Sequence, residues 1–196
     1  VGAAPNRRGT TVIFQPDITI FGKDANFQPD TIYRMARSRA YLHRGVEIRW
    51  SCDPSLVKKT GSAPAEEVFH FPNGLQDYLD ASLNGRKTLT PEPFVDRAEF
   101  PDGEGRIEWA ITWPANEEGF FPSYRNTGTT PEGGTHEQGL RGGLSKSLKA
   151  YGEMTGNKKK IAQITADDIL GGACVILSVF IKDPQFQGQT KEKLAS

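Results

Sequence analysis

The sequence predicts an α+β fold, and three kinds of segment predict it. Residues 107–113 alternate apolar and more polar side chains, which is typical of a half-buried strand. Residues 29–44 and 136–154 place apolar side chains at helical spacing, so both are expected to be helices packed on a core. Residues 173–181 form a nearly continuous apolar run, which predicts a strand buried on both faces. Hairpin patterns lie between these segments, so we expect a sheet packed against helices in two layers.

The composition is typical of one globular domain. The chain has 196 residues, of which 36% are hydrophobic, and this is enough for one core. Its 24 Lys and Arg side chains balance 24 Asp and Glu side chains, which excludes a polybasic chain as a global description. Two cysteines and three histidines predict neither a disulfide framework nor a zinc site. No apolar run is long enough for a membrane helix and no signal segment opens the chain, so we expect a cytoplasmic protein without a membrane partner.

The balanced total charge hides three charged blocks. Residues 1–65 hold ten basic and five acidic side chains, residues 66–118 hold four and twelve, and residues 136–196 hold nine and six. These blocks are compatible with an ordinary patchy surface. They are equally compatible with two basic blocks that fold into one positive face for a polyanion. The sequence leaves both interpretations open.

The first part of the chain predicts a strand and a long helix. β-Branched and aromatic residues favour a strand at 10–14, followed by a short element at 19–21. Pro29 opens the helix, which is expected to end near Arg44. Arg39 falls within the apolar arc of this helix, so it either extends past the edge of the core or has a functional role. The apolar side chains expected to face the core are Ile32, Met35, Ala36 and Leu42.

The middle of the chain predicts two strand pairs. Residues 46–52 and 67–71 are expected to form a hairpin, and a short amphipathic helix is expected at 75–83. Residues 85–105 predict no clear element. The alternating strand is expected to pair with an antiparallel partner at 120–127.

The last part of the chain predicts helices followed by the buried strand. Thr135 and Gln138 fit the T-x-x-Q capping box, so Thr135 is the expected N-cap of the helix at 136–154. A similar cap pattern at 165–168 precedes a short helix, and 158–160 is an exposed basic run. Each glycine inside a helix costs up to ~1 kcal/mol relative to alanine, so several in one helix indicate close packing of a backbone or ligand. The glycines in question are Gly139, Gly142 and Gly143.

Two segments are compatible with phosphate chemistry, and each has a plainer interpretation. Residues 131–138 fit either a phosphate-binding turn or a tight turn before a capped helix. Residues 187–193 fit either a loop that carries a lysine to a phosphate or an ordinary surface loop. His136 has no Ser or Cys nearby in the sequence, so a catalytic triad is not supported. The acidic block at 92–118 shows no spacing that selects a carboxylate pair.

Two motifs resemble those of the B subunits of type IIA DNA topoisomerases. Residues 133–141 read G-G-T-H-E-Q-G-L-R and are similar to the family stretch G-G-T-H-x-x-G-[FL]-R. Residues 183–194 read D-P-Q-F-Q-G-Q-T-K-E-K-L and are similar to the family loop D-P-x-F-x-x-Q-T-K-x-[KR]-L. Residues 8–17 resemble the segment that opens the same domain. The resemblance is collinear over essentially the whole chain, and two long motifs in the same order make it specific.

The resemblance implies a fold and a domain organisation. The family's transducer domain is related to ribosomal protein S5 domain 2, with a mixed β-sheet and helices packed on one face. Residues 10–196 are expected to form this transducer domain, and residues 1–9 to be a linker or the edge of a preceding ATPase domain. The chain is therefore expected to be a fragment without the ATP-binding and DNA-cleaving domains, and to be inactive alone.

The resemblance also implies roles for individual residues. Gln189 and Lys191 match the family residues that reach the γ-phosphate of ATP, with Lys191 as the catalytic group. Arg141 matches a family arginine on the helix that faces the DNA cavity, and Lys149 lies on the same helix. Arg125 departs from the family, in which this position tends to be apolar. ATP and Mg²⁺ are the cofactors implied for the full-length protein, with neither bound to this fragment and no metal site in it.

The implied function is to couple ATP binding and hydrolysis to the capture and passage of a DNA duplex. The implied partners are double-stranded DNA, the A subunit of topoisomerase IV and a second copy of the B subunit. Residues 73–79, 91–94 and 183–186 resemble the topoisomerase IV branch more than the gyrase branch, which remains an alternative. A stand-alone module that binds phosphate or nucleic acid is the other alternative, because one fold hosts many functions.

Overall fold

The computed structural model describes residues 8–23, 26–57, 61, 63–101, 103–115 and 118–196, so most of the expected linker at 1–9 lies outside the described residues. The α-helices are α1 (Ile18–Phe21), α2 (Pro29–Leu42), α3 (Leu75–Leu83), α4 (Thr135–Met154), α5 (Lys158–Ile161) and α6 (Ala166–Leu170), and a 3₁₀ turn spans Pro54–Leu56. The strands are β1 (Glu47–Ser51), β2 (Glu66–His70), β3 (Phe94–Glu99), β4 (Gly105–Thr112), β5 (Ser123–Arg125), β6 (Gly128–Thr129) and β7 (Cys174–Ile181).

The strands form a five-stranded sheet and a separate hairpin. The sheet has the order β3-β4-β7-β5-β6, and β1 pairs with β2 in antiparallel register as predicted. Strand β4 runs antiparallel to both β3 and β7, whereas β5 runs parallel to β7. This mixed sheet with its helices confirms the α+β class.

Two predictions about the sheet are wrong. The segment 120–127 does not pair with β4, because its strand β5 lies on the other side of β7, with Ser123 opposite Leu177 in parallel register. The second antiparallel partner of β4 is β3, which lies in the stretch 85–105 where no element was expected. Strand β3 is an edge strand and all its residues are exposed, so it lacks the alternation that identifies a half-buried strand.

Helices cover both faces of the five-stranded sheet, whereas the resemblance implied helices on one face. Ile176 packs with Leu79 of α3, while Val175 and Leu177 pack with Leu140 of α4 on the opposite face. Successive side chains of a strand point to opposite faces, and β7 is apolar at nearly every position. Both faces must therefore be covered, and the predicted burial of this strand on both sides is confirmed.

Helix α2 packs on the β1–β2 hairpin, and the prediction of its core-facing side chains is correct for Ala36 and Leu42 but wrong for Ile32 and Met35. Tyr33 and Ala40 are buried together with Phe69 of β2. In contrast, Ile32 and Met35 remain 37% and 48% exposed. A tyrosine offers more apolar area than an isoleucine, and its hydroxyl can still find a polar partner at the edge of a core. The buried face of α2 is therefore shifted from Ile32 and Met35 towards Tyr33.

The end of α2 joins the hairpin to the five-stranded sheet. The ring of Tyr41 stacks between Phe71 and Tyr78, with ring centres 3.6 and 4.6 Å away. Leu42 is buried in the α3 core, as predicted. Arg39 is exposed, so it lies outside the buried face and its position in the apolar arc needs no special explanation.

The strand predicted at 10–14 does not form. Val12, Ile13 and Phe14 are 76%, 90% and 71% exposed, and no described residue pairs with their backbone. β-Branched side chains favour extended structure, but a strand also requires a neighbour that accepts its hydrogen bonds. The short element expected at 19–21 is the single-turn helix α1. Among the described residues, no helix combines the length and the hydropathy needed to cross a membrane.

Candidate functional site

Residues 183–196 form a two-legged loop after β7. We call 185–187 the outgoing leg, 193–195 the returning leg, and 188–192 the tip. A backbone bridge between Phe186 and Leu194 joins the two legs. Two hydrogen bonds flank this bridge, from the Gln187 N–H to the Lys193 carbonyl (3.0 Å) and from the Ala195 N–H to the Gln185 carbonyl (2.9 Å).

The returning leg is bound to the first turn of α4. The Leu194 N–H donates to the Gly133 carbonyl (3.0 Å), and the Thr135 N–H donates to the Leu194 carbonyl (3.1 Å). A Cβ on Gly134 would lie 2.2 Å from the Leu194 carbonyl oxygen, and the φ of +145° also favours glycine there. The two motifs that carry the family resemblance therefore meet in one place. We call the contact of residues 133–135 with Leu194 the α4–loop joint.

The predicted capping box at the start of α4 is wrong. The helix begins at Thr135, its N-cap is Gly134, and no side chain caps it. The Thr135 hydroxyl instead donates to the carbonyl of Ser196 in the returning chain. The Gly133 N–H donates to the Thr130 carbonyl (2.8 Å), so both it and the Thr135 N–H are used within the protein. This favours the tight turn over the phosphate-binding turn for residues 131–138.

Gln189 and Lys191 lie in the tip of the loop, and both are exposed. Lys191 has a φ of +58°, an uncommon conformation for a non-glycine residue, and such outliers concentrate at functional sites. Within the described residues, no ion pair involves Lys191. A lysine beside an amide donor is a set that suits phosphate oxygens. The described part of the chain holds no His, Cys, Asp and Glu cluster suited to a metal ion.

A buried chain of polar side chains supports the joint from inside the domain. The Nε2 of His136 lies 3.1 Å from the Thr130 Oγ1, which lies 2.6 Å from the Ser123 Oγ. The Ser123 hydroxyl also lies 2.6 Å from Oε1 of Glu137, to which it can donate. Burial lowers the pKa of His136, while the charge of Glu137 acts in the opposite direction. The fold therefore favours a neutral His136.

This polar chain is structural and is not a catalytic triad. Ser123 is only 4% exposed, and His136 contacts Thr130 instead of Ser123. No substrate could reach the serine, and no imidazole is placed to take its proton. Sequence reasoning found no partner for His136, so Ser123, Thr130 and Glu137 were missed. The one usable signal was Glu137 in the first turn of a helix, where carboxylates are favoured.

Arg141 and Lys149 lie further along α4. The guanidinium of Arg141 is 3.6 Å from the carboxylate of Asp167 and 5.3 Å from the centre of the Phe121 ring. Lys149 is exposed and lines a shallow depression that includes Ala166 of α6. At 1.5 Å per residue, Arg141 and Lys149 lie roughly 9 and 21 Å along the helix axis from its first residue. Helix α4 therefore connects the α4–loop joint to both cations.

The glycines of α4 do not pack closely against any described residue, contrary to the prediction. A Cβ on Gly139, Gly142 or Gly143 would meet no atom within 4 Å. The tightly packed glycine of this helix is Gly152, where a Cβ would lie 2.8 Å from the side chain of Ile161. The first three, which we call the glycine strip, leave bare helix backbone on an open surface.

Comparison with known proteins identifies the family of this chain. Residues 74–196 match the family model described as DNA gyrase B. The B subunit of DNA topoisomerase 4 from Caulobacter vibrioides is 52% identical over 99% of this chain, and that from Bartonella bacilliformis is 50% identical over 100%. This chain belongs to the B-subunit family of type IIA DNA topoisomerases. It spans 28% of the length of each of these two relatives.

Solved structures of this B-subunit family share the fold. The 43K ATPase domain of Thermus thermophilus gyrase B, in complex with an aminocoumarin, has a TM-score of 0.74 at 31% identity, covering 93% of this chain and 46% of that one. The topoisomerase IV ATP binding domain of Francisella tularensis, in complex with a small-molecule inhibitor, has a TM-score of 0.71 at 30% identity, covering 91% and 45%. The B-subunit chain thus aligns with about half of each structure.

Proposed function

We propose that this chain is the transducer of an ATP-dependent type IIA topoisomerase, which couples ATP binding and hydrolysis to the capture and passage of a DNA duplex. The observation that carries the proposal is the α4–loop joint. Backbone hydrogen bonds tie the leg that follows Lys191 to the first turn of the helix that carries Arg141 and Lys149. A displacement of the loop tip would therefore be passed to α4 as a rigid element. Residues 10–196 are the proposed extent of the transducer.

At one end of this coupling, Gln189 and Lys191 contact the γ-phosphate of ATP held by another part of the full-length protein. The exposure of both side chains and the unusual backbone of Lys191 support this role. Lysine would stabilise the charge that develops on the transferred phosphoryl group. Loss of the γ-phosphate would release the tip and change the position of α4. The described residues hold no cluster for Mg²⁺, so its ligands are not assigned to them.

At the other end, Arg141 and Lys149 face a DNA duplex. Contacts between cations and phosphates do not depend on base sequence, which suits a protein that transports any duplex. The glycine strip supports this role on the Lys149 side of the helix, where Gly142 and Lys149 line the same depression, because a helix surface without side chains lets a sugar-phosphate backbone come close. Arg141 lies on another side of the helix, against Asp167 and Phe121.

The proposed partners are double-stranded DNA, the A subunit of topoisomerase IV and a second copy of the B subunit. The topoisomerase IV branch is favoured over gyrase, because the relatives from Caulobacter vibrioides and Bartonella bacilliformis are both topoisomerase 4 proteins and are about half identical to this chain.

The test of the proposal is the Lys191→Ala variant of the full-length protein. Loss of one donor to a developing charge typically lowers kcat by roughly 10²–10³-fold, so ATP turnover should fall by that factor. Thermal unfolding should hardly move, because changes at exposed positions usually stay within about 0.5 kcal/mol. The Gln189→Ala variant should show the same effect more weakly, since an amide carries no full charge.

The matched control is Lys193→Ala. Lys193 has the same charge and lies two residues further along, and its backbone carbonyl still accepts the hydrogen bond from Gln187 in the variant. Its ATP turnover should be close to that of the unmodified protein. If Lys193→Ala were as damaging as Lys191→Ala, the effect would be general electrostatics of the loop and the role of Lys191 would be wrong.

A further inference from the structure

Arg125 lies at the end of β5 under the outgoing leg of the loop. Its guanidinium is 4.3 Å from the centre of the Phe186 ring. Its Nε is buried and has no hydrogen-bond partner in the part of the chain that the structure describes. The rest of the Arg125 side chain is half-buried, so only one of its donors is withdrawn from water without a partner, and the face of an aromatic ring attracts such a partly desolvated cation. Phe186 provides this ring.

The loop therefore has two anchors, one on each leg. The returning leg is held at the α4–loop joint through the backbone of Leu194. The outgoing leg is held through the side chain of Phe186 on Arg125. The backbone bridge between Phe186 and Leu194 connects the two anchors. The tip, residues 188–192, lies beyond them and is attached once more at its base, where the Glu132 N–H donates to the Glu192 carbonyl (3.1 Å). These attachments together decide where Gln189 and Lys191 can reach.

The two anchors differ in the groups that form them: one is formed by backbone atoms and the other by side chains. The joint is made by backbone groups next to glycines, so it uses atoms that every sequence of this fold possesses. The second anchor depends on two side chains, Arg125 and Phe186, so a single substitution can remove it without changing the backbone hydrogen bonds.

We propose that Arg125 is a positioning residue that fixes the outgoing leg through Phe186 and thereby sets the reach of Lys191. The proposal rests on the proposed function for its catalytic consequence, but the anchoring itself is independent of ATP. Arg125 does not touch the nucleotide. It acts by limiting the conformations of the loop, so its loss should lower the rate of the chemical step more than it weakens nucleotide binding.

The first experiment measures ATP turnover of the full-length protein with Arg125→Leu, Arg125→Lys, Phe186→Leu and the Arg125→Leu/Phe186→Leu double variant. We expect Arg125→Leu to lower kcat about tenfold with KM changed less than twofold. Arg125→Lys, which keeps a cation over the ring, should recover most of the rate. The kcat of the double variant should be no lower than that of the less active single variant, because both substitutions remove the same contact. A wild-type kcat in Arg125→Leu, or losses that multiply in the double variant, would overturn the proposal.

The second experiment measures hydrogen exchange of the same proteins without nucleotide. In Arg125→Leu, the amide hydrogens of Gln187 and Ala195 should exchange about tenfold faster, because they form the bonds between the legs, while those of β7 should not change. Equal exchange in both proteins would refute the anchor. If exchange increases but only Lys191→Ala lowers kcat, Arg125 anchors the loop without positioning Lys191, and the proposal is wrong. If Lys191→Ala retains full turnover, the proposed function fails, and hydrogen exchange alone decides whether the anchor exists.

Discussion

At the scale of single residues, the informative feature is the histidine of the G-G-T-H motif. His136 is 7% exposed, and only its Nε2 has a partner, since Nδ1 makes no hydrogen bond to any described residue. Burial makes the imidazole a structural support under the α4–loop joint. A protonated imidazole would bring a charge into this site, so the fold opposes protonation.

We predict that the stability of this chain decreases as the pH falls below about 6.5 because of His136. The pKa of His136 is lowered in the folded chain by burial. Between this lowered pKa and the ordinary value, the unfolded chain binds more protons, so the free energy of unfolding falls with falling pH. The measurement is urea unfolding at several pH values between 7 and 5.5.

His136→Gln provides the control for this prediction. Its amide can keep the hydrogen bond to Thr130 but does not titrate. Its free energy of unfolding should therefore depend less on pH over the same interval. Parallel pH profiles for the two proteins would show that another group carries the dependence.

At the scale of elements, the glycines at the start and in the middle of α4 have opposite roles. Gly134 is required where the helix meets the returning leg, because a Cβ there would overlap the Leu194 carbonyl. Gly139 lies in the exposed helix interior and contacts nothing within 4 Å of an added Cβ. The capping box predicted for α6 is present at Thr165 and Asp168, where the two side-chain–backbone bonds are reciprocal. The start of α4 is instead fixed by tertiary contact.

We predict that Gly134→Ala destabilises this chain by about 1–3 kcal/mol, because the substitution forces an unfavourable φ and displaces Leu194. In the full-length protein it should also lower ATP turnover, since the returning leg loses its attachment. The measurements are denaturant unfolding of the chain and steady-state ATP hydrolysis of the full-length protein.

The matched control is Gly139→Ala in the same helix. Alanine has a higher helix propensity than glycine, so this variant should be more stable by up to about 1 kcal/mol. If Gly134→Ala were as stable as Gly139→Ala, the close approach at the α4–loop joint would not exist in solution.

At the scale of the whole molecule, helix α4 links the two sites of the proposed function. Its first turn is attached to the loop that carries Lys191, and its later turns carry Arg141 and Lys149. The Arg141 side chain is partly engaged by Asp167 and Phe121, which orient it and leave it 37% exposed. Arg141 is therefore held by its neighbours while part of its side chain stays exposed.

We predict that Arg141→Gln in the full-length protein leaves basal ATP turnover nearly unchanged but weakens DNA-stimulated turnover and strand passage. Loss of one phosphate contact should lower the slope of log affinity against log salt by about 0.9. Asp167→Asn should have the opposite effect and raise the affinity for DNA slightly, because it releases Arg141 from its ion pair. An unchanged salt slope in Arg141→Gln would remove this residue from the proposed DNA face.

We also predict that the 196-residue chain by itself releases no phosphate from ATP above the rate of the buffer. The chain aligns with less than half of the matched ATPase domain, and in the proposed function another part of the full-length protein holds the nucleotide. Phosphate release measured against chain concentration provides the check. Phosphate release that rises in proportion to the concentration of the purified chain would contradict the proposal that another part of the protein holds the nucleotide.

The sequence by itself determined the longer helices, the two central strands and the family. Apolar periodicity identified α2, α4 and β4 as elements, and a nearly continuous apolar run identified β7. The capping box at Thr165 could also be predicted, because its hydrogen bonds join residues only three positions apart. The two motifs identified the family because they are long and occur in a fixed order, and the comparisons confirm it.

Only the tertiary structure decided which segments meet. Strand pairing depends on contacts between distant parts of the chain, so the pattern of β4 could not show that β7, and not the segment that follows β4, is its neighbour. The face of α2 depended on Tyr33 and Phe69, which lie far apart in sequence. The joint at Leu194 and the contact between Arg125 and Phe186 arise because β7 returns the chain beside β5 and the start of α4. Local spacing carries no information on such contacts, which only the packed sheet brings within bonding distance.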